Sequence, residues 1–264
     1  IFVKIILKQI IFIFVRTINQ KQNNMPSSSE VGHAKNVANL QKLTEQVNVY
    51  TLYNPPVDNL KIANLQTLYT DASTKLNEVE DKRNANKNAI TLRQSAFENL
   101  KPTATKIINH LAILGLPQGT IDQAKSLNRL IQGGQKKETA PIVEGKEPAK
   151  TVSTSRQSYT QQAENFGILL QLLGTISAYN PNEDDLKLAN LNTYKESLMS
   201  ATQSVDQTEA ELNNKLIERD QILYADGTGL YTIAQNVKKY VKSIYGATSP
   251  EYTNVSSIEF TTRK

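Results

Sequence analysis

The sequence predicts an all-α protein made of two similar, elongated helical bundles. Three observations support this fold class. Apolar residues recur at steps of three and four along most of the chain, which is the period of an amphipathic helix. A long block of sequence occurs twice. Two segments carry a sustained heptad pattern that no Gly or Pro interrupts, which is typical of long helices.

The duplication is clearest at two corner motifs. Residues 53–67 read YNPPVDNLKIANLQT and residues 179–193 read YNPNEDDLKLANLNT, so ten of fifteen positions are identical at an offset of 126 residues. The predicted domains are therefore a first repeat at residues 25–132 and a second repeat at residues 158–264. We expect the two repeats to be related by a pseudo-twofold.

The sequence pattern predicts the same order of elements in each repeat, beginning with a helix that ends at Tyr-Asn-Pro. These first helices are predicted at Glu30–Tyr53 and Tyr159–Tyr179, because a proline disfavours helical geometry at the Asn before it. Asp58 and Asp184 follow the corners. Both are predicted to cap the next helix, since a carboxylate there accepts hydrogen bonds from free backbone N–H groups.

The second helix of each repeat is long, about 40 residues or ~60 Å. A helix of this length needs neighbours along its whole length, so we expect the first helix to cover one half and a third helix the other. A short fourth helix follows, with Thr120 predicted to cap it in the first repeat and Ser249 with Pro250 to begin it in the second. The predicted ranges are Asp58–Leu100, Pro102–Leu114 and Ile121–Ile131, then Asp184–Leu223 and Leu230–Tyr245.

The stretch between the repeats, residues 133–157, is predicted to be a flexible linker. It holds three Gly, two Pro and many charges but few apolar residues. Such a composition cannot bury enough surface to offset the entropy of ordering the chain.

Residues 1–24 differ in character from the rest. They carry four of the basic residues and no acid, so most of the net charge of +5 lies there. The longest uncharged run, Gln9–Val15, is too short to span a membrane. We interpret the segment as an extension outside the mature protein, with Met25 as the start. An amphipathic helix on a membrane surface and a degenerate signal are the alternatives.

The composition excludes several kinds of chemistry. There is no Cys, which excludes disulfides, thiolate metal sites and Cys nucleophiles, and there are only two His. No nucleotide-binding, metalloprotease or hydrolase motif occurs. The sequence therefore predicts no enzyme, no catalytic residue, no cofactor and no metal site. The acidic run at residues 183–185 lacks the ligand spacing of a calcium loop.

Several residues are candidates for function, each with a structural alternative. Arg93 and Arg219 share one stripe position and suit either an anion or a structural role, as an ion pair or a snorkelling side chain, and we favour the structural role. A basic patch in the third helix of the second repeat either binds phosphate or is a solvated helix face, and we again favour the solvated face. His33 and His110 are expected to be packed or solvated side chains, and residues 226–229 a turn. The patch consists of Lys238, Lys239 and Lys242.

Three segments carry a resemblance to a known group. They are the Tyr-Asn-Pro corners, Ser-Arg-Gln-Ser-Tyr at residues 155–159, and Tyr-Gly-Ala-Thr-Ser-Pro-Glu-Tyr at residues 245–252. Together they make the chain similar to an uncharacterised group of bacterial tandem helical-bundle proteins over most of residues 32–264. The resemblance implies a duplicated all-α architecture and a bacterial origin. It implies no activity, substrate or binding residue.

The predicted function is that of a non-enzymatic structural or protein-interaction protein of the cytoplasm, with a protein partner or self-association. The first alternative is a membrane-associated protein that attaches through its N-terminal apolar and basic residues. The second is a weak binder of nucleic acid or another anion through the basic patch. Outside residues 1–24 the net charge is only +1, so binding to nucleic acid is not favoured.

Overall fold

The computed structural model describes residues 28–133 and 158–262, and every regular element in these ranges is helical. The predicted all-α class is confirmed. The predicted N-terminal extension and nearly all of the predicted linker lie outside the described residues. In chain order the α-helices are α1 (Ser28–Asn48), α2 (Ile62–Phe97), α3 (Leu100–Ala112), α4 (Gln118–Gln132), α5 (Tyr159–Gly174), α6 (Leu188–Tyr224), α7 (Leu230–Tyr245) and α8 (Pro250–Ser256).

The first helix of each repeat ends about five residues before the predicted proline boundary. In the first repeat the chain leaves α1 at Asn48 through two tight turns, in which the amide of Tyr50 bonds the Val47 carbonyl and the amide of Tyr53 bonds the Tyr50 carbonyl. In the second repeat, the amide of Tyr179 likewise bonds the Ile176 carbonyl. The corners are therefore longer than predicted. Each also contains a short 3₁₀ helix, Asp58–Leu60 or Asp184–Leu186.

Three of the four capping predictions were wrong. Asp58 and Asp184 begin the 3₁₀ helices, and their carboxylates pair with Lys61 and Lys187 instead of with backbone N–H groups. Thr120 lies inside α4, which begins at Gln118. The prediction for Ser249 is confirmed, because its hydroxyl accepts a hydrogen bond from the Tyr252 amide and Pro250 opens α8.

The chain divides into two compact units, and each combines parts of both repeats. Unit 1 comprises residues 1–79 and 215–264, of which 28–79 and 215–262 are described, and unit 2 comprises residues 80–214. This division differs from the predicted domains, 25–132 and 158–264. The reason is the length of α2 and α6, each of which extends through both units. The third and fourth helices of a repeat consequently pack in a different unit from its first helix.

Unit 1 is built around α1, α7 and α8. Helix α7 packs on α1, on α8 and on the 3₁₀ helix of the first corner. The core is aliphatic and contains fully buried Leu40 and Leu43 from α1, with Leu65 from α2. Val237 and Val241 from α7 complete it.

Unit 2 is built around α3, α4 and α5. Helix α4 packs on α3 and α5, and α3 contacts the 3₁₀ helix of the second corner. The core contains fully buried Phe166 and Leu169 from α5, with Leu191 and Leu198 from α6 and Leu111 from α3.

Candidate functional site

The two histidines are packed side chains, as expected. His33 is 4% exposed, and its Nδ1 lies 2.7 Å from the hydroxyl of Tyr224 in unit 1. His110 packs edge-to-face against Tyr179 in unit 2, with ring centroids 5.4 Å apart. Within the described ranges there is no group of three His, Cys, Asp or Glu residues that could hold a metal ion.

The two stripe arginines make structural contacts. Arg219 is 5% exposed and bonds the carboxylate of Asp220, with Nη2 2.7 Å from Oδ1. Arg93 lies over the ring of Tyr159, with its guanidinium carbon 4.3 Å from the ring centroid, which is a cation–π contact. Arg219 thus forms an ion pair, whereas Arg93 stacks on an aromatic ring and its buried Nε has no hydrogen-bond partner among the described residues.

The basic patch on α7 is not a free cationic surface. Lys238 donates hydrogen bonds to the carbonyls of Ser256 and Ile258, and its ammonium lies 5.2 Å from the ring centroid of Phe260. Burial lowers the pKa of Lys238. Lys242 is exposed but its ammonium lies over the ring of Tyr252, whereas Lys239 is exposed without such a contact among the described residues. Two of the three lysines thus contact the C-terminal segment that packs on α7.

The corners have the same internal hydrogen bonds in both copies. The hydroxyl of Tyr179 donates a hydrogen bond to the Leu186 carbonyl at 2.8 Å. The side-chain Nδ2 of Asn190 donates one to the Asp184 carbonyl at 2.6 Å. Burial raises the pKa of the Tyr179 hydroxyl to about 12, with the nearby Asp185 carboxylate adding to the shift. These bonds give the repeated tyrosine and the repeated Asn64 and Asn190 a structural role in the corner. Residues 226–229 likewise form a turn between α6 and α7.

A groove in unit 2 lies between α5 and the first part of α6, with a volume of about 540 Å³. These two helices run antiparallel, because Gly174 lies against Leu188 and Gly167, two turns earlier, lies against Lys195. By the same register, Ala163 is level with Met199. The groove is lined by Thr160, Ala163, Glu164, Gly167, Ile168, Gln171, Lys195, Met199, Thr202, Gln203 and Asp206.

Gly167 creates room for the side chain of Lys195. A Cβ placed on Gly167 would come 3.1 Å from the Cε of Lys195 and 3.7 Å from its Nζ. The glycine therefore allows the lysine stem to cross α5 closely and carry its ammonium into the groove. No carboxylate of the described residues lies within ion-pair distance of this ammonium.

The groove exposes two large apolar side chains. Ile168 is 47% exposed and Met199 is 52% exposed, although both lie on helices whose other faces form the core of unit 2. Glu164 lies in the exposed surface near them and accepts only a long hydrogen bond, 3.4 Å, from the side chain of Gln161. The site therefore combines apolar anchors with charges that have no strong partner within the described structure.

The other repeat shows that this apolar lining is not required by the fold. At the offset of 126 residues, Ile168 corresponds to Lys42 and Met199 to Ser73. Lys42 lies in a shallow depression of about 500 Å³ on α1 in unit 1, lined by Ala38, Gln41, Lys42, Glu45, Gln46 and Val49. These two positions are thus polar in one copy and apolar in the other, although Val49 is exposed in the same depression.

Neither Ile168 nor Met199 was predicted from the sequence as a functional residue. The helical period identified the buried stripe of α5, which contains Phe166, Leu169 and Leu170. It gave no role to Ile168, which lies among these residues in sequence but outside the buried stripe. The signal was the comparison of the repeats, because a charged residue in one copy marks a position that faces solvent in both.

Comparison of the chain with protein-family models, with curated proteins and with solved structures finds no match. In the part of the chain that the structure describes, none of the helices has the length and apolar character needed to cross a membrane.

Proposed function

We propose that this protein is a non-enzymatic protein-interaction protein whose binding surface is the groove between α5 and α6 in unit 2. The observation that carries the proposal is the exposure of Ile168 and Met199, at positions that are Lys42 and Ser73 in the other repeat. Other apolar side chains, such as Val49 and Leu52 in the first repeat, are also exposed, but Ile168 and Met199 line one groove together. Such a patch with a polar rim is typical of a surface that binds another protein.

The groove offers an open surface with apolar side chains between two antiparallel helices. The apolar side chains of a partner protein can pack there. In the register given by Gly167 and Lys195, Ile168 and Met199 lie five residue positions apart along α5. This corresponds to ~7.5 Å, close to the spacing of apolar residues one turn apart on a helix.

Neither alternative function gains a supporting contact. The membrane-associated alternative depends on residues 1–24, which lie outside the described residues. The anion-binding alternative depends on a patch in which Lys238 already donates to two carbonyls. The cytoplasmic location stays a prediction.

Photo-crosslinking in the source cell tests the proposal. A photoreactive amino acid is placed at position 168 or 199, with positions 42 and 73 as matched controls on the other repeat. We expect crosslinks from positions 168 and 199 to map to one surface of one protein, and the controls to lack them. The same adducts at all four positions, or no adduct at 168 and 199, would overturn the proposal.

A further inference from the structure

We propose that the groove binds the same groove of a second copy of this chain, in a symmetric antiparallel dimer. The inference rests on the proposed function, because it names the occupant of that surface. It is carried by the order of four side chains along the groove.

That order follows from the register of α5 and α6. Met199 is level with Ala163, Glu164 comes next on α5, Lys195 lies over Gly167, and Ile168 follows. Along the groove axis these four side chains therefore read apolar, acidic, basic, apolar, and a further carboxylate, Asp206, lies beyond Met199.

This order is complementary to its own reverse. When two grooves face each other in opposite directions about a twofold, α5 of one copy faces α5 of the other. Glu164 then lies opposite the Lys195 ammonium of the other copy, because the Lys195 stem crosses Gly167 of α5. Met199 of one copy comes level with Ile168 of the other, from the opposite wall of the groove. The twofold repeats both relationships, so one arrangement forms two ion pairs and brings two pairs of apolar side chains level with each other. An isologous interface requires this kind of self-complementarity, in which residue i meets residue j and residue j meets residue i.

The two charges are available for such pairing. The Lys195 ammonium has no carboxylate within ion-pair distance in the described residues, and the Glu164 carboxylate has only the amide of Gln161 at 3.4 Å. Because the order of acid and base is complementary to its own reverse, a second copy pairs both charges without any other protein.

The equivalent surface of the other repeat lacks this pattern. At the same offset, Met199, Glu164, Lys195 and Ile168 correspond to Ser73, Ala38, Tyr69 and Lys42. That series has no acid to meet Lys42 and no apolar residue at either end. Only the unit 2 groove therefore takes part in self-association. Because the dimer uses the groove of both copies, no larger assembly forms through it.

Charge reversal in the full chain tests the inference by analytical ultracentrifugation over a concentration series. Glu164→Lys or Lys195→Glu alone turns both ion pairs of the symmetric dimer into like-charge contacts. Each is expected to weaken dimerisation by roughly tenfold or more. An equimolar mixture of the two single variants should dimerise again, because one chain then carries lysine at both positions and the other carries glutamate at both. Lys42→Glu is the matched control and should leave the dimer unchanged.

The mixture experiment separates interface loss from misfolding, since a misfolded variant would not be rescued by another. A wild-type chain that stays monomeric throughout the series would overturn the inference. So would a dimer that both reversals leave intact, or single variants that do not recover on mixing. If the chain is monomeric but positions 168 and 199 still crosslink to one surface of another protein, the proposed function stands and only self-association fails. If positions 42 and 73 give the same crosslinks, the proposed function fails as well.

Discussion

The hydroxyl of Tyr53 donates a hydrogen bond of 2.7 Å to the carbonyl oxygen of Leu60, seven residues further along the chain. Tyr179 makes the same bond to Leu186 in the second corner. In each case the phenol closes the loop between the end of one helix and the 3₁₀ turn before the next. The repeated tyrosine is thus explained by the folding of the corner.

The first prediction concerns this bond. Tyr53→Phe keeps the ring but leaves the Leu60 carbonyl without its donor, so we expect a loss of ~1 kcal/mol in the free energy of unfolding. Tyr179→Phe should cost a similar amount. Urea denaturation followed by circular dichroism measures both. Tyr69→Phe is a control, because no hydrogen bond from its hydroxyl is present within the described structure. Equal stability of Tyr53→Phe and wild type would contradict the role given to the phenol.

The second prediction follows from the corrected role of Asp58. Its carboxylate pairs with Lys61 at the exposed surface and does not cap a helix. Because exposed ion pairs contribute little, Asp58→Ala should lower the melting temperature less than Tyr53→Phe does. A thermal melt of the two variants side by side provides the comparison. A larger loss for Asp58→Ala would restore the capping interpretation.

The predicted core stripes and the observed division into units show where sequence reasoning succeeded and where it failed. Periodicity identified the buried faces, and Leu40 and Phe166 are indeed fully buried. It could not assign each third helix to a first helix. The apolar residues of α3 and α7 are similar in size and spacing, as Leu111 and Val241 illustrate, so either helix suits either first helix. The predicted length of the second helix does place the first and third helices of one repeat on different halves, as found for α1 and α3. It does not show which helix of the other repeat completes each unit.

The groove was harder to predict for a different reason. A single exposed apolar residue is ordinary on a protein surface. Ile168 indicates a binding surface only once the structure shows that it lines the same groove as Met199 and that Lys195 crosses Gly167 beside it. These depend on which faces of α5 and α6 meet, which the sequence pattern leaves open.

The third prediction concerns pH. In unit 1, Lys75 and Lys215 each contact both Glu78 and Glu218, with N–O distances of 2.8–3.0 Å, so the four charges form a closed ring. Hydrogen bonds from Lys75 and Lys215 lower the pKa of Glu218 from 4.5 to about 2. The pKa of Glu78 is lowered for the same reason, with Lys215 contributing most.

Because the folded pKa of each glutamate lies below its unfolded value, the ring stabilises the fold above about pH 4.5. That stabilisation is lost as the pH falls from there toward 2. We therefore expect the free energy of unfolding of the wild type to decline over this window more steeply than that of the Glu78→Gln/Glu218→Gln variant. Urea titrations at a series of pH values measure both slopes. Glu211→Gln, which removes a single exposed pair with Lys82, is the control. Parallel slopes for wild type and the double variant would disprove the assignment.

The fourth prediction concerns Lys238. Its ammonium donates to the carbonyls of Ser256 and Ile258, so Lys238→Met should destabilise the protein. Lys239→Met, at an exposed position one residue away, should not. Thermal melts compare the two variants, and heparin chromatography tests the alternative. If Lys238→Met elutes earlier from heparin without any change in melting temperature, the lysine serves an anion and not the C-terminal segment.

The last prediction concerns Asn36, whose side chain is fully buried in α1. Its carboxamide binds the backbone of Thr261 on both sides: the Nδ2 group donates to the Thr261 carbonyl at 2.8 Å, and Oδ1 accepts from the Thr261 amide at 2.9 Å. The same Nδ2 group lies 3.3 Å from the hydroxyl of Tyr224, which is also 2.7 Å from Nδ1 of His33. Asn36 thereby joins the C-terminal segment to a buried polar cluster.

Asn36→Ala should cost ~1–3 kcal/mol, because it leaves buried backbone groups without partners. A double-mutant cycle with a chain that ends at Ile258 separates this bond from other effects of the substitution. If Asn36 acts mainly through Thr261, the substitution should cost much less in the shortened chain, where only the contact with Tyr224 remains. An equal cost in both backgrounds would show that Asn36 stabilises the protein through Tyr224 and the packing of α1. The C-terminal residues would then lie against this cluster without holding it together.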